Sequence, residues 1–153
     1  HGKKLSYNNY NDIFSALTIS KYFPKNVGTI ILKHANPCGV SVKKNQINSY
    51  QSALACDPVS AFGGIVLCNY KIKKKLAIHL NKIFLEVIIA NGFEKNALKI
   101  LKKKKNLRLI DSSSLDKSEI NSYVSNFNSI LVQSSDVIKF NKKNKITFIT
   151  YLY

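Results

Sequence analysis

An apolar run that leads into a polar segment, between Thr29 and Gly39, constrains the fold of this chain more than any other feature. Its first part, Ile30-Ile31-Leu32, is typical of a strand that is buried on both faces. Pro37 has no N–H group and disfavours helix at the residue before it, so we expect the strand to end near His34. Gly39 can adopt a positive φ and let the chain fold back. The stretch therefore predicts a central strand followed by a polar turn.

Three polar side chains fall at the end of this predicted strand, namely Lys33, His34 and Asn36. Open α/β sheets bind their ligands beyond the carboxyl ends of the strands. We therefore predict a functional site there.

The rest of the chain alternates between strand-like and helix-like segments. Apolar runs predict strands at about 28–34, 64–68, 84–90 and 106–110. Helical spacing and end signals predict four helices: from Asn11 or Asp12 to Phe23, Asn45 to Cys56, around Ile72 to Leu80, and Glu94 to Lys103. Beyond residue 110 we expect a strand at 130–132, a basic stretch at 139–145 and a strand or chain end at 146–153. This alternation predicts a layered α/β domain with a mostly parallel or mixed central sheet.

The net charge of +16 raises the possibility of a nucleic-acid or membrane-surface partner. Only Arg108 is an arginine, although arginine is the usual reader of bases and phosphates. The chain is also rich in Asn, Ile and Lys, whose codons are AT-rich, so genome composition explains the charge without such a partner. No apolar run approaches the roughly 18 residues of a membrane helix. We therefore expect no membrane partner, and we treat a lysine-rich nucleic-acid module as the alternative.

The cysteines Cys38, Cys56 and Cys68 are odd in number and include no C-x-x-C pair. This pattern argues against a disulfide framework or a zinc site and favours a reducing cytoplasm. His34 to Cys38 is similar to part of the zinc deaminase pattern, but Asn36 replaces the Glu and no cysteine pair follows. Residue 1 is His rather than Met, so we expect the natural chain to begin further upstream.

His34 is the first candidate for chemistry, because an imidazole with an unperturbed pKa near 6.5 can transfer protons near neutral pH. Lys33 beside it would favour the neutral imidazole. Both side chains can serve one site only if the strand ends or twists between them, since neighbours in a strand face opposite sides. The alternative is a core histidine bonded to backbone, with a surface lysine next to it.

Two further segments could contribute to a binding site. In the Ser60 to Gly64 segment, two glycines allow close backbone approach and Phe62 could stack on a planar heterocycle. The alternative is a tight turn before a strand. Glu86 interrupts an apolar run and needs a partner if it is buried, whereas on a half-exposed strand it would need none.

Several motifs, in order and spacing, resemble one known family. They are His1-Gly2-Lys3-Lys4-Leu5-Ser6-Tyr7-Asn8-Asn9, Lys33 to Gly39, Asp57-Pro58-Val59-Ser60-Ala61-Phe62-Gly63-Gly64, Phe84 to Ala90 and Leu131-Val132-Gln133. Together they are similar to the transformylase part of the bacterial AICAR transformylase/IMP cyclohydrolase family. The resemblance covers residues 1–137 and leaves 138–153 as a divergent or truncated basic tail.

The resemblance implies a cytidine-deaminase-like α/β/α sandwich and formyl transfer from 10-formyltetrahydrofolate to AICAR, which gives FAICAR in purine biosynthesis. It implies catalytic roles for Lys33 and His34, and substrate-binding roles for Asn36, Ser60, Phe62, Gly63 and Glu86. It also implies no zinc, a cytoplasmic location and active sites formed across a homodimer. The cyclohydrolase domain and the second transformylase half are not in this sequence, so we expect the isolated chain to be inactive.

Overall fold

A five-stranded sheet and four helices form the larger of two units in the computed structural model, which describes residues 1–115 and 122–134. The strands are β1 Gly28–Lys33, β2 Asn36–Val42, β3 Ile65–Cys68, β4 Val87–Ala90 and β5 Arg108–Asp111. The helices are α1 Tyr7–Ser20, α2 Gln46–Cys56, α3 Lys74–Leu80 and α4 Lys95–Leu101. This unit comprises His1–Leu115, and the second unit comprises Asp116–Tyr153.

The order of strands in the sheet is β2-β1-β3-β4-β5. β1 runs antiparallel to both of its neighbours, whereas β3, β4 and β5 are parallel to one another. The sheet is therefore mixed, as the alternation of segments predicted.

Helices cover both faces of the sheet because side chains alternate along each buried strand. Ile30, Leu32, Ile65 and Leu67 point to one face, where they pack with Ile13 and Ala16 of α1. Ile31, Val66 and Ile88 belong to the other face, which α2, α3 and α4 cover. Most of these side chains are 0–2% exposed, and burying one Ile or Leu contributes about 1.5–3 kcal/mol. The layered α/β/α prediction is confirmed.

The chain reverses direction earlier than predicted, and this corrects the expected turn at Asn36 to Gly39. The turn consists of His34 and Ala35, and both have positive φ, at 54° and 60°. Positive φ at both central residues is the mark of a type I′ hairpin turn, whose twist matches that of the flanking strands.

The residues after that turn form the edge strand β2 instead of a loop. Pro37 is tolerated there because an edge strand has one row of unpaired N–H positions. The register shifts between Ile31, which pairs with Gly39, and Leu32, which pairs with Pro37, so Cys38 forms a bulge.

Gly39 does not have a positive φ, so the expectation that it lets the chain fold back through such a conformation is wrong. A Cβ atom there would lie 1.9 Å from the carbonyl oxygen of Ala53 in α2. The glycine is needed because α2 approaches the backbone of β2 too closely for any side chain.

Three predicted boundaries also move. α1 begins at Tyr7 because Ser6 and Asn9 form a capping box, so neither Asn11 nor Asp12 caps it. β4 begins at Val87 instead of residue 84, and α3 begins at Lys74 instead of Ile72. The predicted cap of α2 is confirmed, since the Asn45 side chain accepts hydrogen bonds from two backbone N–H groups.

The described part of the second unit is a hairpin of β6 Ser122–Asn126 and β7 Ser129–Gln133. It confirms the predicted strand at 130–132. The predicted basic stretch at 139–145 and the last predicted strand lie outside the described residues. Across the described ranges, no helix is both long and apolar enough to cross a membrane.

Candidate active site

The direction of β1 decides which edge of the sheet carries the predicted site. β1 and β3 are antiparallel, with Leu32 opposite Ile65. The carboxyl end of β1 therefore lies beside the amino ends of β3 and β4. Lys33 and His34 lie at the carboxyl end of β1, as predicted, but because β1 runs against the parallel strands this end is not beside the carboxyl ends of β3, β4 and β5.

Lys33 meets the second predicted segment at this edge. Its Nζ atom donates a hydrogen bond of 2.9 Å to the carbonyl oxygen of Phe62. The N–H of Gly63, which has φ of 73°, donates to the carbonyl of Phe84 at 2.9 Å. The rings of Phe62 and Phe84 lie 5.4 Å apart, with both side chains about half exposed. The structure thus brings Lys33, Phe62 and Gly63 together.

His34 occupies the hairpin turn directly after Lys33, the last residue of β1. The strand ends between the two residues, which is the condition for both to serve one site. His34 is exposed, so the alternative of a core histidine does not apply. The side chain of Asn36 folds back over the turn, and its Nδ2 donates to the His34 carbonyl at 3.0 Å.

Asp12 also takes part in this turn, although sequence reasoning considered it only as a helix cap. Its Oδ1 atom accepts a hydrogen bond of 2.6 Å from the backbone N–H of Ala35. The contact joins α1 to the turn across 23 positions in the sequence. No local signal points to such a partner.

Glu86 lies just before β4, and the structure shows the partners that the sequence could not identify. Its Oε2 atom accepts a hydrogen bond of 2.9 Å from Asn9 Nδ2 and lies 3.7 Å from a guanidinium nitrogen of Arg108. Arg108 also donates two hydrogen bonds to the carbonyl of Lys4, at 3.1 and 3.0 Å. The Glu86 side chain is 43% exposed, so the ion pair itself contributes at most about 1 kcal/mol.

This network ties the segment before α1 to the sheet. A cavity of about 170 Å³ adjoins it, lined by Lys3, Phe84, Glu86, Asn106 and Arg108. Asn9 and Arg108 were not among the predicted site residues. The signal for Arg108 was present, because it is the single arginine in a chain that otherwise uses lysine.

Ser60 belongs to a turn that precedes the Phe62 segment. Its N–H donates to Asp57 Oδ1 at 2.9 Å. Hydrogen bonds from the Ser60 side chain and backbone hold the pKa of Asp57 below its usual range. The structure places Ser60 two residues from Phe62 and gives it a role in shaping the turn.

A second, larger cavity lies elsewhere in this unit, near the carboxyl end of β3 and the start of α2. It has a volume of about 720 Å³, and its lining includes Lys44, Lys71, Lys73, Lys74 and Lys75. None of the predicted site residues lines it.

The thiols show no arrangement suited to a metal. Among residues 1–115 and 122–134, no three His, Cys, Asp or Glu side chains are grouped closely enough to hold an ion. Burial raises the pKa of the Cys38 thiol, and it raises that of Cys68 to about 12. Metal ligation by cysteine requires the thiolate, which these environments disfavour.

Comparison with known proteins gives the same family as the motifs. The family model described as AICARFT/IMPCHase bienzyme matches residues 1–151. A bifunctional purine biosynthesis protein PurH from Lactococcus lactis subsp. cremoris (strain MG1363) is 44% identical over 146 residues, which cover 94% of this chain and 28% of that protein. The PurH protein of Bacillus cytotoxicus is 44% identical over 148 residues, covering 95% of this chain and 29% of the relative.

The PurH protein of Bacillus cereus (strain AH187) is 51% identical over 110 residues, covering 72% of this chain and 21% of the relative. Among solved structures, the apo form of dCMP deaminase from the cyanophage S-TIM5 aligns with a TM-score of 0.47 and 11% identity, over 71% of this chain and 99% of that chain. That score is too low to assign a shared fold, so the mixed α/β architecture rests on the topology itself.

This chain spans less than a third of the length of the curated relatives it matches. The matches nevertheless cover almost all of the chain at high identity, and the family model covers it nearly from end to end. The chain therefore belongs to the AICARFT/IMPCHase bienzyme family.

Proposed function

We propose that this chain is part of an enzyme of purine biosynthesis that transfers a formyl group from 10-formyltetrahydrofolate to the 5-amino group of AICAR. The observation that carries the proposal is the contact between Lys33 Nζ and the Phe62 carbonyl at 2.9 Å. It brings the two most chemically informative motifs of the family to one edge of the sheet. Membership of the family supports the same reaction.

His34 acts as the proton acceptor in this proposal. The amine of AICAR is a poor nucleophile, because its lone pair is delocalised into the imidazole ring and the carboxamide. As the amine nitrogen bonds to the formyl carbon, it must lose a proton, and the bond from that carbon to the folate nitrogen must break. An exposed imidazole in a turn is accessible to that proton, and imidazole is the side chain most often used as a general base.

Lys33 supplies positive charge in the same step. Its ammonium group would stabilise negative charge that develops on the formyl oxygen or assist departure of the folate nitrogen. In the structure the ammonium donates a hydrogen bond to one carbonyl oxygen, its one such partner among residues 1–115, and remains partly accessible. It can therefore be redirected to a substrate without the loss of a buried ion pair.

The remaining predicted residues form one side of the substrate pocket. Phe62 is 59% exposed and can stack on the imidazole of AICAR, while Gly63 allows the backbone close approach. Asn36 lies at the turn, Ser60 shapes the segment before Phe62, and Glu86 borders the cavity of about 170 Å³. Glu86 would contact substrate through Oε1, since its contacts with Asn9 and Arg108 both use Oε2.

The chain by itself supplies only part of this pocket, since it spans about 28% of its relatives. We propose that the complete protein is a cytoplasmic homodimer, that its active site needs residues from the missing part, and that this site uses no zinc. The division of the chain at residues 137 and 138 remains a prediction. Catalysis depends strongly on holding both substrates in place, so the isolated chain should show little turnover.

The test compares formyl transfer by a full-length protein carrying these residues with the variants His34→Ala and Lys33→Ala. His34→Ala should lower turnover by roughly 10²–10⁴, the usual span for a lost general base. AICAR affinity should change much less, because a proton acceptor acts mainly in the transition state. His79→Ala on α3 is the matched control. Wild-type turnover in His34→Ala would refute the assignment.

The alternative is nucleic-acid binding, and the cavity lined by five lysines is the observation that favours it. Binding there should weaken with salt, with a slope of log K against log salt set by the number of phosphates neutralised. Replacing Lys73, Lys74 and Lys75 with Gln should flatten the slope, and Lys33→Ala should leave it unaltered. Binding that ignores salt, or no binding at all, would remove this alternative.

A further inference from the structure

The hairpin turn that carries His34 is held by a side chain from a different element. Asp12 lies in the middle of α1, and its Oδ1 accepts a 2.6 Å hydrogen bond from the N–H of Ala35. The separation is short for an N–H donor, and bonds to a carboxylate acceptor are shorter and stronger than neutral ones. The Asp12 side chain is half-buried, so water competes with this bond only in part.

The turn needs such support because of its residue types. His34 and Ala35 have φ of 54° and 60°, in the left-handed region. Such a conformation costs of order 1–3 kcal/mol for a residue other than glycine, and alanine has no polar side chain to compensate locally. Two-residue turns of this kind strongly favour Asn-Gly, Asp-Gly or Gly-Gly. The residue types of the turn, His and Ala, are therefore unfavourable for the conformation that the turn adopts.

The turn is restrained on one side by β1 and by Asn36, which pairs with Lys33 and donates to the His34 carbonyl, but the strand that follows is more exposed. The turn leads into β2, which is an edge strand with a bulge at Cys38 and with Asn36 and Pro37 exposed. α1, in contrast, is anchored. Its start is closed by the Ser6 capping box, and Ile13, next to Asp12, is buried against the sheet.

We propose that Asp12 is a positioning residue for His34. Its carboxylate accepts the hydrogen bond from the N–H of Ala35 and so keeps the turn in its left-handed conformation. In that conformation the turn fixes the His34 imidazole beside Lys33. The Lys33 side chain is itself positioned by its bond to the Phe62 carbonyl. Asp12 acts as a hydrogen-bond acceptor and does not touch the reacting atoms. The inference rests on the proposed formyl transfer.

The kinetic test uses a full-length protein of the family carrying these residues. Asp12→Ala should lower kcat for formyl transfer about tenfold or more, because misplacing a catalytic group by about 1 Å can cost a factor of 10². The KM for AICAR should change by much less, since the proposed binding residues Ser60, Phe62, Gly63 and Glu86 lie outside the turn. Asp12→Asn keeps an acceptor oxygen and should restore most of the loss.

A double substitution separates this role from a general structural one. Ala35→Gly removes the conformational cost at position 35, while that at His34 remains, so the turn should depend less on Asp12. The fold loss caused by Asp12→Ala should therefore be several times smaller when glycine is at position 35 than in the wild-type background. An equal loss in both backgrounds, or an Asp12→Asn variant as impaired as Asp12→Ala, would overturn the proposal.

Amide hydrogen exchange in the 153-residue chain provides a readout that does not depend on catalysis. Asp12→Ala should speed exchange at Ala35 at least about tenfold while leaving the N–H of Ile31 in β1 protected. If His34→Ala kept full activity, formyl transfer through His34 would fail, and the exchange data would still decide whether Asp12 holds the turn. If exchange at Ala35 changed but kcat for Asp12→Ala did not, the positioning role would be refuted and the proposed function would stand.

Discussion

Gly39→Ala is a severe test of the packing between β2 and α2. The added Cβ would lie 1.9 Å from the carbonyl oxygen of Ala53 and 2.8 Å from its carbonyl carbon. Ordinary contact begins near 3.4 Å, so the two backbones must separate by about 1.5 Å at this point. Neither atom belongs to a flexible side chain, and the helix would have to move as a body. Overpacking of this kind costs about 1–3 kcal/mol, and rigid backbone on both sides places the change at the upper end.

Urea unfolding of the 153-residue chain would measure the effect. We expect the free energy of unfolding to fall by about 3 kcal/mol for Gly39→Ala, with an unaltered denaturant slope. Val40→Ala, at the next position on the same strand, is the control, because Val40 is exposed and should lose less than about 1 kcal/mol. A Gly39→Ala protein within about 0.5 kcal/mol of wild type would show that the close approach of α2 does not exist.

Three further outcomes follow from the structure. Phe62→Ala should raise the KM for AICAR several-fold in a full-length protein, whereas Phe62→Tyr, which keeps a ring, should have a KM close to that of the wild type. An unaffected KM in Phe62→Ala would exclude ring stacking as the role of Phe62. Alkylation at pH 8, followed by mass spectrometry, should label the exposed Cys56 and spare Cys68, whose pKa burial raises to about 12; equal labelling of the folded protein would contradict that burial. Burial also raises the pKa of Tyr50 to about 12, so Tyr50 and Cys68 ionise more readily in the unfolded chain. Stability should be complete below about pH 9 and decline towards pH 12, and an unfolding free energy that stayed constant over that range would refute this linkage.

Much of the fold could be predicted because short runs of apolar residues indicate which segments are buried. The run at residues 30–32 and the apolar runs before Asn69 and Asn91 each became a strand covered on both faces. The Asn45 cap set the start of α2 for an equally local reason, since a side chain there satisfies N–H groups two and three residues away. The motifs of Lys33 and Phe62 meet at one edge because one ends β1 and the other precedes β3.

Strand direction could not be predicted in the same way. The residue pattern around Pro37 and Gly39 indicated a turn, yet the chain turns at His34 and Ala35, whose residue types are unfavourable for it. Tertiary contacts outweigh that preference, through the bond to Asp12 and the pairing of β2 with β1. Because β1 then runs against β3, the candidate site lies at the amino ends of the parallel strands.

The sequence by itself thus determined which segments are buried, which residue types could do chemistry and, through its motifs, the family. The tertiary structure alone decided the order and direction of the strands, the need for glycine at position 39 and the partners of Asp12 and Glu86. Those partners lie 23 and 77 residues away along the chain. A contact of that kind depends on how whole elements pack, and no local pattern of residues encodes it.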